Sequence, residues 1–191
     1  PGDISEDEAA ARVALAISGD YVRVDAAFTG RANLFAQCNG VLVAAPALVD
    51  ALNDVDEQVT LATLPHHRVV EGEMIGTVKV IPFAVAEKTV LRAMDAFPSR
   101  ALKVAPFKPK RIAVISTLLP GLKSSTVEKT LRVMSERMAP AGAQIIADER
   151  VPHEQGALGA AIKKYRDTCD LMIVFGASAI TDRRDVIPAA L

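Results

Sequence analysis

The sequence predicts an α/β protein in two parts, on three observations. Half of its 191 residues are hydrophobic, yet aromatics make up only 4% and Trp is absent. A core of Val, Ile, Leu and Ala suits buried strands covered by helices. Residues 1–105 hold several short β-rich runs separated by turn signals, which predicts an α+β domain with antiparallel strands. Residues 106–191 alternate strand and helix with short connections, the rhythm of a doubly wound sheet. The polar Pro106–Arg111 stretch interrupts all periodicity and marks the boundary.

In the first part, residues 5–18 are acidic and Ala-rich with helical spacing (Ala9, Val13, Ile17), and Gly19 follows as a stop signal. Residues 21–28 alternate as a half-buried strand. Leu34 to Cys38 and Val41 to Ala45 flank Asn39-Gly40, a favoured two-residue type I′ turn, and predict a hairpin. Pro46 opens a short helix through Leu52, since proline is tolerated at the first helical position. Gln58 to Leu64 and Met74 to Val85 are β-rich, with a turn at Glu71-Gly72 and a break or edge at Pro82. Glu87 to Phe97 reads as a helix.

In the second part, Ile112–Thr117, Ala143–Ala147 and Leu171–Phe175 are apolar strands. Ser125–Met138 is an amphipathic helix with Val127, Leu131, Met134 and Met138 on one face, and Glu154–Arg166 is a second helix. A further helix starts near Val186. The chain begins at Pro1 without an initiator Met and stops at Leu191 in a helix start, so residues are expected beyond both ends and the second domain is expected to be truncated.

The composition excludes several functions. A net charge of −1 leaves no electrostatic footprint for nucleic acid. No apolar stretch reaches the ~18 residues needed to span a bilayer, and the acidic N-terminus is not a signal peptide. Cys38 and Cys169 are isolated in different halves and read as reduced thiols of a cytoplasmic protein. The three histidines, His66, His67 and His153, show no zinc-ligand spacing.

In an open α/β sheet, ligands bind outside the carboxyl ends of the strands. Two loops are candidates there. Ser116 to Thr126 offers Ser116, Thr117, Gly121, Lys123 and Ser124, a set of hydroxyls, backbone amides and one cation suited to a phosphate. Ser125-Thr126-Val127-Glu128 has the spacing of a capping box, so Ser125 is expected to cap the helix. Gly176 to Asp185 offers Gly176, Ala177 and Ser178, small enough for a ligand to approach the backbone, then Asp182, Arg183, Arg184 and Asp185. Arginine grips phosphate through two donors, and carboxylates hold Mg²⁺ together with substrate phosphates. Equally open is a helix start, with Asp182 or Asp185 as N-cap and the arginines in solvent.

Residues 170–191, DLMIVFGASAITDRRDVIPAAL, resemble the signature of the MoaB/Mog-like molybdopterin-binding domain. Arg184-Asp185-Val186, Pro188 and Ala190 match its helix start, while Val151-Pro152, Asp170-Leu171 and Ile112–Gly121 resemble its flanking strands. GRANLFAQCNGVLV and the VDEQVTLATLP and TVKVIPFAV runs resemble the N-terminal region of molybdenum cofactor biosynthesis proteins. The resemblance implies a Rossmann-like three-layer α/β/α half-domain over residues 106–191. It also implies a small-molecule pterin ligand, molybdopterin or molybdenum cofactor, and a homo-oligomer, in this family a trimer. Two departures bear on catalysis. Gly176-Ala177-Ser178 replaces the paired glycines of the adenylating members, and Ser124-Ser125-Thr126 lacks their acid.

Three functions follow as expectations. The first is binding of molybdopterin or molybdenum cofactor in cofactor biosynthesis or delivery, with phosphate held at Ser178, Arg183 and Arg184. The second is a transferase activity, nucleotidyl transfer to molybdopterin or molybdate insertion with Mg and ATP. There Asp185 or Asp182 would be catalytic, Asp185 would hold Mg²⁺ and Lys123 would neutralise phosphate. The third is a non-catalytic scaffold or oligomerisation module, since fold does not imply function.

Overall fold

A computed structural model describes residues 2–191, which divide into two compact units, one ending at Phe107 and the other Lys108–Leu191. Both mix helices and sheets, and the chain is of the α/β class.

The first unit runs β1 (Asp3–Ser5), α1 (Glu6–Ile17), β2 (Val22–Val24), β3 (Arg31–Ala36), β4 (Gly40–Val43), α2 (Pro46–Asn53), β5 (Val59–Thr63), β6 (Arg68–Val69), β7 (Met74–Val80), β8 (Ala84–Ala86), α3 (Glu87–Ala96) and β9 (Lys103–Pro106). Ser5 caps α1, its hydroxyl accepting the Glu8 amide at 3.2 Å, and Glu6, Asp7 and Glu8 complement the positive end of the helix. The stripe Ala9, Ala10, Val13, Ala14 and Ile17 is buried. α1 lies against β3 and β7, the central strands of an antiparallel sheet ordered β2-β3-β7-β5. Ala32, Leu34, Val78 and Val80 supply the sheet side of this core, at alternate positions as the strand period requires. A second antiparallel sheet has the order β6-β4-β9, and β1 pairs with β8.

The expected hairpin at Asn39-Gly40 is absent. β3 pairs with β2 and β7, whereas β4 belongs to the other sheet, between β6 and β9. A type I′ turn needs positive φ at both central residues, and neither Asn39 nor Gly40 has it. Gly40 is a strand residue that a Cβ would not fit, since the added atom would lie 2.3 Å from the Ala105 carbonyl oxygen across the ladder. The tight turn lies earlier, at Thr29-Gly30, with φ of 50° and 68° and paired hydrogen bonds between Phe28 and Arg31. It shortens the expected strand 21–28 to Val22–Val24. Pro82 separates β7 from β8, as its missing amide requires.

The second unit runs β10 (Arg111–Leu118), α4 (Ser124–Met138), a single 3-10 turn (Ala139–Ala141), β11 (Gln144–Pro152), α5 (Gln155–Tyr165), β12 (Leu171–Phe175) and α6 (Val186–Ala190). The three strands are parallel in the order β11-β10-β12. The chain leaves the central strand to one side, then crosses over to the other. Right-handed crossovers in opposite directions place helices on opposite faces. Ile112 and Val114 pack with Met134 of α4 on one face, and Ile115 packs with Leu158 of α5 and Ile187 of α6 on the other. Asp170 ties the amino ends of β10 and β12 together. Its carboxylate accepts the Lys110 and Arg111 amides, each at 2.8 Å, and these bonds hold its pKa below the ordinary aspartate value.

Gly40→Ala is expected to destabilise the first unit by about 1–3 kcal/mol, the usual cost of overpacking. Gly156→Ala, where an added Cβ meets nothing within 4 Å, is the control and should be neutral or slightly stabilising. Urea denaturation of both variants checks this, and wild-type stability for Gly40→Ala would disprove the β4–β9 register.

Candidate functional site

The loops after β10 and β12 diverge to opposite faces of the sheet, the first toward α4 and the second toward α6. Such a divergence opens a crevice at the carboxyl edge of a parallel sheet, where ligands bind. A cavity of about 180 Å³ lies here, lined by Ser116 and Thr117 of β10, Thr126, Val127 and Thr130 of α4, Leu122, and Phe175, Gly176 and Ala177. Pockets for drug-sized ligands run about 300–1,000 Å³, so this one is too small to enclose a ligand of that size.

Thr117 organises the edge. It is 2% exposed, and its hydroxyl oxygen accepts the Ala177 amide at 2.9 Å and lies 3.3 Å from the Phe175 carbonyl and 2.8 Å from His153 Nδ1. A threonine hydroxyl has one hydrogen to give, and the carbonyl can only accept. With that hydrogen given to Phe175, His153 Nδ1 is the donor to Thr117; given to His153 instead, Nδ1 accepts. The other ring nitrogen, Nε2, faces the Ser178 hydroxyl at 3.1 Å and, in the neutral ring with Nδ1 donating, accepts from it. A chain of polar contacts thus runs from Ser178 through His153 to Thr117 and back to the 176–178 backbone.

Gly176 is closely approached: a Cβ there would lie 2.6 Å from Ile187 Cδ1, the end of a flexible side chain, and 3.0 Å from the Ser178 carbonyl oxygen. Downstream, Asp185 stands at the N-cap of α6 but its side chain makes no capping bond to that helix. One of its oxygens instead accepts from the Thr181 amide, from the Asp182 amide at 3.0 Å and from the Thr181 hydroxyl at 3.2 Å. These amide bonds hold its carboxyl below the ordinary aspartate range. Asp182 accepts the Arg184 amide at 2.6 Å and its carboxylate lies 3.6 Å from the Arg184 guanidinium. Among the described residues, Arg183 and Lys123 are exposed and have no ion-pair partner.

The structure thus brings Ser116, Thr117, Gly176 and Ala177 to one crevice, links Ser178 to Thr117 through His153 outside its lining, and gathers Asp182, Arg184 and Asp185 into one loop network. Gly121, Lys123 and Ser124 make no hydrogen bond to the 176–185 loop among the described residues. Gly121 adopts φ 87° in the turn, and Ser124 is the first residue of α4. The expected capping box fails. The helix starts one residue early, Lys123 occupies the N-cap position, and no side chain caps it. No group of three or more His, Cys, Asp or Glu able to hold a metal exists among the described residues. Nor is any helix among them long and apolar enough to cross a membrane.

His153 is the residue that sequence reasoning missed. It has no motif around it, but it follows the last residue of β11, at the carboxyl end of a parallel strand. The positional rule that singled out the other two loops applies to it equally.

No protein-family model and no curated protein matches the chain. Among solved structures, it is similar to the molybdopterin biosynthesis MoeA protein from Pyrococcus horikosii at 11% identity and a TM-score of 0.29, over 91% of this chain. The match spans 63% of that protein's length.

Thr117→Val keeps the shape of the buried side chain and deletes its hydroxyl. The Ala177 amide and His153 then lose their partner, which should destabilise the second unit by about 1–3 kcal/mol. Hydrogen exchange at the Ala177 amide should speed up, and unchanged protection would show that the hydroxyl does not anchor the loop. The loop should also respond to acid. Asp185 has a lowered pKa in the folded state, so its stabilisation is present above the unfolded value and is lost as pH falls through the folded one. Protection of the Thr181 and Asp182 amides should follow that course, and Asp185→Ala should abolish it at every pH.

Proposed function

We propose that the second unit binds molybdopterin or molybdenum cofactor through its terminal phosphate. The observation that carries this reading is the polar cluster at the carboxyl edge of β10 and β12, where Thr117 holds the Ala177 amide and is linked through His153 to the exposed Ser178 hydroxyl, within the segment whose sequence resembles the molybdopterin-binding signature. Phosphate is recognised by hydroxyls and arginine, and this edge supplies an exposed hydroxyl and two exposed arginines. Ser178 is exposed on the loop, Arg183 has no competing carboxylate among the described residues, and Arg184 can leave its exposed contact with Asp182. The pterin would extend over the loops, because the cavity is too small to enclose it. On this reading the unit is a half-domain of the MoaB/Mog type that acts in cofactor biosynthesis or delivery, as one copy of a homo-oligomer.

Nucleotidyl transfer to molybdopterin is the less supported alternative. Charge neutralisation on the transferring phosphoryl group is the larger part of such catalysis. One oxygen of Asp185 already serves three donors within its own loop, and the loop after β10 contains no acid.

Calorimetric titration of the chain with molybdopterin, with and without Mg-ATP, tests both. Binding that ignores nucleotide supports a carrier or specificity domain. Tighter binding with pyrophosphate release identifies an adenylyltransferase, and no binding leaves a scaffold. Arg183→Ala combined with Arg184→Ala should weaken molybdopterin binding by about tenfold or more if the guanidinium groups hold the phosphate. Unchanged affinity would remove them from the site.

A further inference from the structure

We propose that His153 belongs to the anion site and that the site takes up a proton on His153 when it binds a phosphate or sulfate dianion. The inference deepens the phosphate-binding reading above and rests on it for the location of the anion. In the arrangement described, the neutral imidazole donates through Nδ1 to Thr117 and accepts the Ser178 hydroxyl at Nε2. The serine hydrogen is then directed at the ring, and an incoming anion meets oxygen lone pairs. Protonation of Nε2 reverses that contact. The ring donates to Ser178 Oγ, the serine hydrogen is released to point at the anion, and the site gains a positive charge. The hub does not need to rearrange, because Nδ1 donates to Thr117 in both states. The only covalent change is the N–H bond formed at Nε2, with the proton given up by a solvent or buffer acid.

The charged groups on the surrounding elements set the balance. Asp185, on the loop after β12, is a carboxylate held by the Thr181 and Asp182 amides of its own loop. Asp182 and Arg184 of the same loop offset each other at 3.6 Å, while Arg183 adds positive charge. Glu154 follows His153 directly, and Lys123 lies in the loop after β10. On β11, Asp148 pairs with Arg150, and Glu149 is held by Lys164 and Tyr165 of α5. β10 contributes only the neutral Thr117 at this end.

Sulfate is the probe, because its own charge stays constant across the neutral range in which histidine titrates. Its affinity should be measured by calorimetry between mildly acidic and mildly alkaline pH, in two buffers of different ionisation enthalpy so that proton uptake is counted directly. Affinity should fall by about tenfold per pH unit once the histidine is neutral, the slope of a single linked proton. His153→Gln should bind sulfate with no such slope, because its amide can donate to Ser178 at every pH. Three results would overturn the proposal. They are sulfate binding in the wild type without proton uptake, an unchanged slope in His153→Gln, and no sulfate binding at any pH. Molybdopterin titration separates the two levels. If the pterin binds with no pH slope, this inference fails and the proposed function stands. If sulfate binding is proton-linked and the pterin does not bind, the reverse holds.

Discussion

Burial of β10 on both faces is the constraint on which the second unit depends. Ile112 through Ser116 all lie inside, so neither face of this strand can meet water. A strand with two buried faces needs helices above and below. The doubly wound connection supplies them, with α4 on one side and α5 and α6 on the other. The same connection sends the loops after β10 and β12 to opposite faces, which opens the crevice between them. The site is therefore a consequence of how the central strand is covered.

Polarity enters where that coverage ends. At the carboxyl end of β10 the sequence changes from Ile115 to Ser116 and Thr117, which remain buried at 4% and 2% exposure. Buried hydroxyls must be hydrogen-bonded. For Thr117 the partners come from both neighbouring strand ends, Phe175 and Ala177 after β12 and His153 after β11. One hydroxyl thereby fixes the geometry of three separate chain segments. The acidic residues nearby serve the loop itself. Asp185 gathers the Thr181 and Asp182 amides and Asp182 pairs with Arg184, which leaves exposed Arg183 without an ion-pair partner among the described residues.

The first unit follows a different principle. The strands β3 and β7 of its larger antiparallel sheet bury alternate residues on the side facing α1, and their alternating pattern follows from that one-sided core. Where the chain changes sheets, between β3 and β4, an Asn-Gly pair serves as a passage into a strand. Backbone crowding at the β4–β9 ladder, which only glycine can occupy at residue 40, explains why the dipeptide is there without forming the turn it usually signals.

Periodicity and turn chemistry determined a good deal on their own. The helices at 6–17, 46–53 and 87–96, the strand–helix alternation after residue 110 and the polar loops at its strand ends were all legible, because each depends on residues close in sequence. Asn39-Gly40 does not form its hairpin and Ser125 does not cap its helix. Both motifs have the right letters, but long-range pairing with β9 and an earlier helix start took precedence. The strand order β11-β10-β12 and the meeting of Thr117, His153 and Ser178 were not legible. These three side chains are 25 to 61 residues apart, and no spacing rule links them. The sequence alone determined which segments could carry polar chemistry at the sheet edge. Only the tertiary structure decided which of them share a hydrogen bond, because contact between distant side chains is set by the packing of the strands that carry them.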